Sequence, residues 1–294
     1  MKAIVFPGQG AQFTGMGKDL YESNAVAREM MEKANEILGF RLTDVMFEGH
    51  AEALKQTKVT QPAVFLHSVV LAKCMGKEFC PDMVGGHSLG EFSALVAAGA
   101  LDFEDGLKLV YARALAMQKA CEAAPSTMAA VIGLDDKTIE DICAETTAEG
   151  NGVVVAANYN CTGQLVISGN IEAVNAACDK LKAAGAKKAV ILPVSAPFHS
   201  TLMKPAAEKL AVELDKVTLS DARIPVVANV NAQVLTKAED IKASLVAQAA
   251  SPVLWEDCVA KMKEFGADVL LEAGPGKTLC GFNRRIDKSI KSLN

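Results

Sequence analysis

Apolar and polar positions along this chain alternate between a period of two and a period near 3.6, segment by segment. Lys2 to Phe6 is a short β-rich run that breaks at Pro7-Gly8-Gln9-Gly10, which predicts a strand delivering a tight turn. Helical spacing then occupies much of 18–38 and 61–74. A second apolar run, Met83-Val84-Gly85, passes through Gly86-His87-Ser88-Leu89-Gly90 into a helical pattern over 91–98, with Gly99 as its C-cap. Asp102 is placed to cap a helix running to about Cys121, and Asp105 at its third position gives a capping-box-like start.

From 128 to 194 the rhythm changes. The pattern predicts strand 128–134, helix 136–146, strands 153–159 and 164–168, helix 171–184 and strand 189–194. That order, βαββαβ, is a ferredoxin-like unit, short enough to sit as a small domain between two halves of a larger one. The α/β pattern resumes afterwards, with strands expected at 222–229 and 267–272. No repeat or low-complexity segment interrupts it, so an α/β chain of two subdomains is expected, with the cleft between them as the natural site.

Composition adds exclusions. Half of the 294 residues are hydrophobic and 22% are charged, an ordinary globular balance that leaves no room for general disorder. A net charge of -5 argues against broad nucleic-acid binding. The eight cysteines form no C-x-x-C pair and read as reduced, buried thiols. With no charged leader ahead of an apolar stretch and no run long enough to span a bilayer, a cytoplasmic protein without a membrane role is expected.

The Gly86-His87-Ser88-Leu89-Gly90 stretch has the context of a nucleophile elbow, a sharp strand-to-helix turn that holds a serine Oγ out of the fold. The Leu89 N–H then lies at the positive end of a helix dipole, where an oxyanion needs a donor. A serine hydroxyl needs a base, and only His50, His67, His87 and His199 are available. His199 is favoured, because it sits in the turn-rich Ser195-Ala196-Pro197-Phe198-His199-Ser200 just after a strand. His87 is too near the serine and is assigned to the pocket wall, while His50 and His67 read as surface or structural residues.

Arg113 stands out next, since its helical neighbours are Leu109, Val110, Ala116 and Met117. A guanidinium in an apolar stripe must meet an acidic side chain or a ligand carboxylate, or else snorkel to water, and periodicity leaves these open. Two glycine motifs are weaker than they look. In Gly8-Gln9-Gly10-Ala11-Gln12-Phe13 a phenylalanine takes the third glycine of a dinucleotide fingerprint. Gly274-Pro275-Gly276-Lys277-Thr278 has Leu271 where a P-loop begins with glycine. Both are read as tight turns or walls of the serine pocket.

Taken together, Phe6-Pro7-Gly8-Gln9-Gly10-Ala11-Gln12, Gly86-His87-Ser88-Leu89-Gly90-Glu91, Tyr111-Ala112-Arg113 with Met117-Gln118, Pro197-Phe198-His199-Ser200 and Glu272-Ala273-Gly274-Pro275-Gly276 resemble the malonyl-CoA:acyl carrier protein transacylases, essentially end to end. The resemblance implies a large α/β-hydrolase-like subdomain with a parallel sheet, over 1–124 and 197–294, and a ferredoxin-like small subdomain over 125–196. It implies Ser88 as nucleophile, His199 as base and then acid, and Arg113 as the clamp on a malonyl carboxylate. The N–H groups of Gln9 and Leu89 would form the oxyanion hole, and the Gln248 carbonyl would orient the histidine, making a dyad without a carboxylate. Met117 and Phe198 resemble acyl-pocket residues, with Asn158 and Asn160 nearby. Malonyl-CoA and an acidic acyl carrier protein are the implied partners, with no cofactor or metal, and fatty-acid synthesis the implied pathway; polyketide assembly is the alternative. Carrier docking then needs a local basic patch, for which Lys180, Lys182, Lys187 and Lys188, or Arg284, Arg285, Lys288 and Lys291, are candidates. A serine esterase or thioesterase would share the elbow and histidine but has no need of Arg113, and a nucleotide-binding module rests only on the two damaged glycine motifs.

Overall fold

The opening apolar run forms strand β1 (Lys2–Phe6), buried from Ala3 onward. The computed structural model describes residues 1–194 and 196–294; Ser195, at the head of the turn leading to His199, lies outside the described residues. The helical stretch expected at 18–38 is split into α1 (Lys18–Ser23) and α2 (Ala25–Leu38). Asn24 goes extended between them, and its side chain accepts the Val26 and Ala27 N–H groups as the cap of α2. Short α3 (Leu42–Glu48) and α4 (Ala51–Lys55) follow, too brief for periodicity to announce. Helix α5 (Thr57–Cys74) starts earlier than expected and is buried around most of its circumference.

Strand β2 (Met83–Gly86), α6 (Gly90–Ala97) and α7 (Phe103–Ala123) match the elbow reading, with Gly99 in the left-handed region at φ 74° just past α6. Asp102 caps α7 by accepting the Glu104 N–H. Asp105 does not complete a capping box; its carboxylate lies 3.8 Å from Lys108 instead.

The expected βαββαβ order is present as β3 (Ser126–Ile132), α8 (Asp136–Ala148), β4 (Val154–Cys161), β5 (Gln164–Asn170), α9 (Ile171–Ala183) and β6 (Lys188–Ile191). The chain continues through α10 (Lys204–Leu214), β7 (Val226–Val227), β8 (Val234–Leu235), α11 (Ala238–Gln248), β9 (Val253–Leu254), α12 (Trp255–Glu264), β10 (Val269–Glu272), α13 (Thr278–Ile286) and β11 (Lys291–Leu293). The strand expected at 222–229 is reduced to β7. Pro225 has no N–H for a ladder, and the Ala228 N–H bonds Gln233 O, turning the chain back into β8.

Two sheets result. One runs β11-β10-β1-β2-β7-β8 and is parallel except for the β7–β8 pair. Its faces are covered by different apolar clusters: Ile4 and Phe6 of β1 join one, Ala3 and Val5 the other. The second sheet, β6-β3-β5-β4-β9, is antiparallel except where β9 lies parallel to β4. A segment from 125–196 therefore does not complete its own sheet; β9 supplies an edge strand from the later chain. Between the sheets lies a further set of buried residues, including Met117, Met128, Phe198 and Met203.

All eight cysteines are free, but Cys80, in the loop before β2, is exposed, and Cys74 and Cys121 are half-buried, so the expectation of uniformly buried thiols is corrected there. No helix among the described residues is long and apolar enough to cross a membrane.

Candidate active site

The carboxyl ends of β1, β2 and β10 open towards the second sheet, the edge at which parallel sheets expose loops to ligands. Ser88 follows β2 with φ 51°, a conformation that costs a non-glycine residue on the order of 1 kcal/mol or more and must be held by its surroundings. Glycine is required on both sides. A Cβ at Gly86 would lie 2.0 Å from the Gly90 carbonyl, and one at Gly90 2.0 Å from Phe6 O. Asn229, fully buried, locks the turn: its Oδ1 accepts the Ser88 N–H at 2.7 Å and its Nδ2 donates to Gly86 O at 2.7 Å. The sequence reading missed Asn229, and only its place directly after a short apolar run hints at it.

His199 Nε2 lies 2.7 Å from Ser88 Oγ. Its Nδ1 faces the carbonyls of Gln248 at 3.0 Å and Ser251 at 3.1 Å. Carbonyls only accept, so Nδ1 carries the ring hydrogen and Nε2 accepts the Ser88 hydroxyl. Burial, then the nearby charge of Arg113, pushes the imidazole pKa down to about 3, which keeps it neutral in the free protein. The orienting groups are carbonyls, not a carboxylate. His87 bonds Asn160 Oδ1 at 2.8 Å and packs against Trp255 and Phe282, on the cavity wall. His67 is buried in α5, where desolvation lowers its pKa to about 4, and His50 is exposed at the start of α4.

Arg113 is 1% exposed, so it does not snorkel. Its Nη1 donates to Gln61 Oε1 at 2.7 Å, and its Nη2 donates to Ser88 Oγ and Gln248 Oε1, both at 3.1 Å. Nε has no partner, and Arg113 makes no ion pair among the described residues. Burial lowers its pKa to about 10, still cationic at neutral pH. A buried cation whose hydrogen bonds all go to neutral oxygens, one of them the candidate nucleophile, and which has the Phe92 ring at 5.6 Å, is arranged to receive an anion at that spot.

The cavity around Ser88 also takes Gln9 and Leu89, whose backbone N–H groups donate to no other group among the described residues. Met117 and Phe198 line it, as do Asn158 and Asn160 from β4. Thr278, Leu279 and Phe282 of α13 complete the wall, a contribution the sequence pattern did not indicate. The two glycine motifs are walls. A Cβ at Gly8 would come within 2.5 Å of His87 O, and Leu271 lies inside β10. The first amides of α13 are already taken, since Glu272 accepts the Leu279 and Cys280 N–H groups at 3.1 and 2.8 Å, leaving that helix start closed to a phosphate. No group of His, Cys, Asp and Glu among the described residues is arranged to hold a metal ion.

Comparison with known proteins agrees over the whole chain. Residues 3–289 match the acyl transferase domain family. The malonyl CoA-acyl carrier protein transacylase of Bacillus subtilis is 45% identical over 292 residues, covering 99% of this chain and 92% of that one. The crystal structure of an acyl carrier protein S-malonyltransferase from Vibrio cholerae superimposes with a TM-score of 0.95 at 44% identity, covering 99% and 95%. A malonyl-transacylase in complex with its type II polyketide acyl carrier protein superimposes with a TM-score of 0.95 at 41% identity, covering 99% and 94%. With the acyl transferase domain family matched over residues 3–289 and a relative 45% identical across 99% of this chain, the protein belongs to the malonyl CoA-acyl carrier protein transacylase family of acyl transferases.

Proposed function

We propose that this enzyme moves a malonyl group from malonyl-CoA to the phosphopantetheine thiol of acyl carrier protein through an ester on Ser88, supplying fatty-acid synthesis. The observation that carries the reading is the convergence on one atom: Ser88 Oγ meets His199 Nε2 at 2.7 Å and Arg113 Nη2 at 3.1 Å. Arg113 takes the malonyl carboxylate, and its donors turn from Ser88 and the glutamines to the substrate. That pairing cancels part of the charge that depresses His199, so binding a carboxylated acyl group strengthens the base.

The Ser88 hydroxyl proton then passes to His199 Nε2 as Oγ attacks the thioester carbonyl. The Gln9 and Leu89 N–H groups receive the oxyanion. Collapse breaks the C–S bond, and CoA leaves with the proton from His199. In the second half the carrier thiol gives its proton to His199, its sulfur attacks the Ser88 ester, and collapse returns the proton to Ser88 Oγ. Met117 and Phe198 shape the acyl pocket around these groups, and the Gln248 carbonyl keeps the proton on His199 Nδ1.

The reading includes an α/β-hydrolase-like large subdomain (1–124 and 197–294), a ferredoxin-like small subdomain (125–196) completed by β9, a cytoplasmic location, and no cofactor beyond the substrates. Esterase chemistry is disfavoured, because a buried arginine beside the nucleophile has no use there. Intact-mass measurement after mixing with malonyl-CoA alone is the test. One malonyl adduct per chain, absent from Ser88→Ala, is expected; an adduct that persists in Ser88→Ala overturns the assignment.

A further inference from the structure

Glu91 is 2% exposed, one turn past Ser88 on α6, and has no part in the steps above. We propose that Glu91 is a positioning residue and the distant counter-charge of Arg113, acting through the Gln248 side-chain amide. The proposal rests on Ser88 and Arg113 acting as described.

The geometry is a relay. Glu91 Oε2 accepts from Gln248 Nε2 at 3.0 Å and from the Asn229 N–H at 3.1 Å. Gln248 Oε1 accepts from Arg113 Nη2 at 3.1 Å. The fully buried amide therefore lies between carboxylate and guanidinium with its positive end on one and its negative end on the other. Flipping it would set carbonyl against carboxylate and NH2 against guanidinium, so the charges fix its orientation. The same Nε2 reaches Ser88 O at 2.9 Å, the Gln248 backbone carbonyl holds His199, and Asn229 holds the elbow. Each reacting side chain is thus one residue away from Glu91.

Spacing by an amide has a consequence that a direct ion pair lacks. A carboxylate on Arg113 itself would occupy the fork that the malonyl group needs. One amide further off, Glu91 reduces the positive field on His199, which becomes imidazolium in both half-reactions, while leaving the fork open. A malonyl carboxylate substitutes for part of that effect; an acetyl group supplies none.

Glu91→Gln keeps an oxygen facing the two N–H donors and removes the charge. The assay is run on the alkaline side of pH 7, where Glu91 is ionised while its titratable neighbours Arg113 and Cys258 keep the charge they have at neutrality. Unopposed, Arg113 attracts the malonyl carboxylate more strongly and disfavours the imidazolium. The expected result is a KM for malonyl-CoA lowered about threefold, kcat lowered about tenfold, and a malonyl-to-acetyl ratio of kcat/KM raised about threefold or more. An unchanged or raised KM, or an unchanged ratio, overturns the proposal. A wild-type enzyme that forms no malonyl adduct in parallel instead overturns the underlying reading. Should Glu91→Gln not fold, Gln248→Met cuts the relay from the other end while keeping the backbone carbonyl on His199, and the same directions are required of it.

Discussion

A guanidinium that is 1% exposed and hydrogen-bonded only to neutral oxygens is an electrostatic deficit that a substrate carboxylate would fill under the proposed function. Leaving such a charge unpaired costs about 3–5 kcal/mol, so Arg113→Ala should lower the malonyl-to-acetyl ratio of kcat/KM by about 10²–10⁴. Equal ratios in wild type and variant, measured with both CoA esters, would count against the clamp. Glu91 makes a second residue-scale prediction. Burial raises its pKa from 4.5 to about 7, so the folded protein holds a proton that the unfolded chain has released, and stability falls as pH rises from 4.5 through 7. Glu91→Gln removes that loss, at most about 3 kcal/mol. Its Tm should exceed wild type by more at about pH 8 than at about pH 5; a constant difference across that range contradicts the assignment. Ser88, His199 and Arg113 were legible in the sequence because each breaks a local rule: a serine between glycines at a strand end, a histidine in a proline turn, a charge in an apolar stripe. Asn229 and Glu91 break none. Their roles arise only when β7 and α6 are brought together.

Elements here succeed or fail on glycine geometry. A methyl group at Gly90 would meet Phe6 O at 2.0 Å, backbone against backbone, whereas Gly281, exposed on α13, has nothing within 4 Å. Gly90→Ala should therefore cost more than about 3 kcal/mol and Gly281→Ala should add about 0.5–1 kcal/mol, read as opposite shifts in Tm. A Gly90→Ala protein melting within about a degree of wild type would show that the elbow is not held as described. The long or strictly alternating elements were readable from spacing, including the whole βαββαβ order. The short ones were not: α3, α4 and the two-residue strands β7, β8 and β9 owe their form to tertiary partners such as β4 beside β9, which no local period records.

At the scale of the molecule, the two sheets meet over a cavity whose outer wall is α13. Of the basic groups weighed for carrier docking, Lys180 shares its charge with Glu145 and Glu149 at 2.8 and 2.5 Å, while Lys187 and Lys188 are exposed and make no ion pair among the described residues. Arg284, Lys288 and Lys291 are exposed, make no ion pair among the described residues and belong to or follow the helix that lines the cavity. Reversing their charge should raise the KM for acyl carrier protein several-fold, with the difference shrinking at high salt, and leave acylation by malonyl-CoA unchanged. An unchanged KM would move the docking surface elsewhere. The central claim is that the Ser88 ester is an intermediate handed to a carrier thiol. The most direct measurement isolates the malonyl-enzyme from free CoA ester, adds phosphopantetheinylated acyl carrier protein, and follows the intact mass of both chains in the same samples. The account predicts that the enzyme loses the malonyl mass as the carrier gains it. Loss of the adduct to water, with the carrier unchanged, would contradict it.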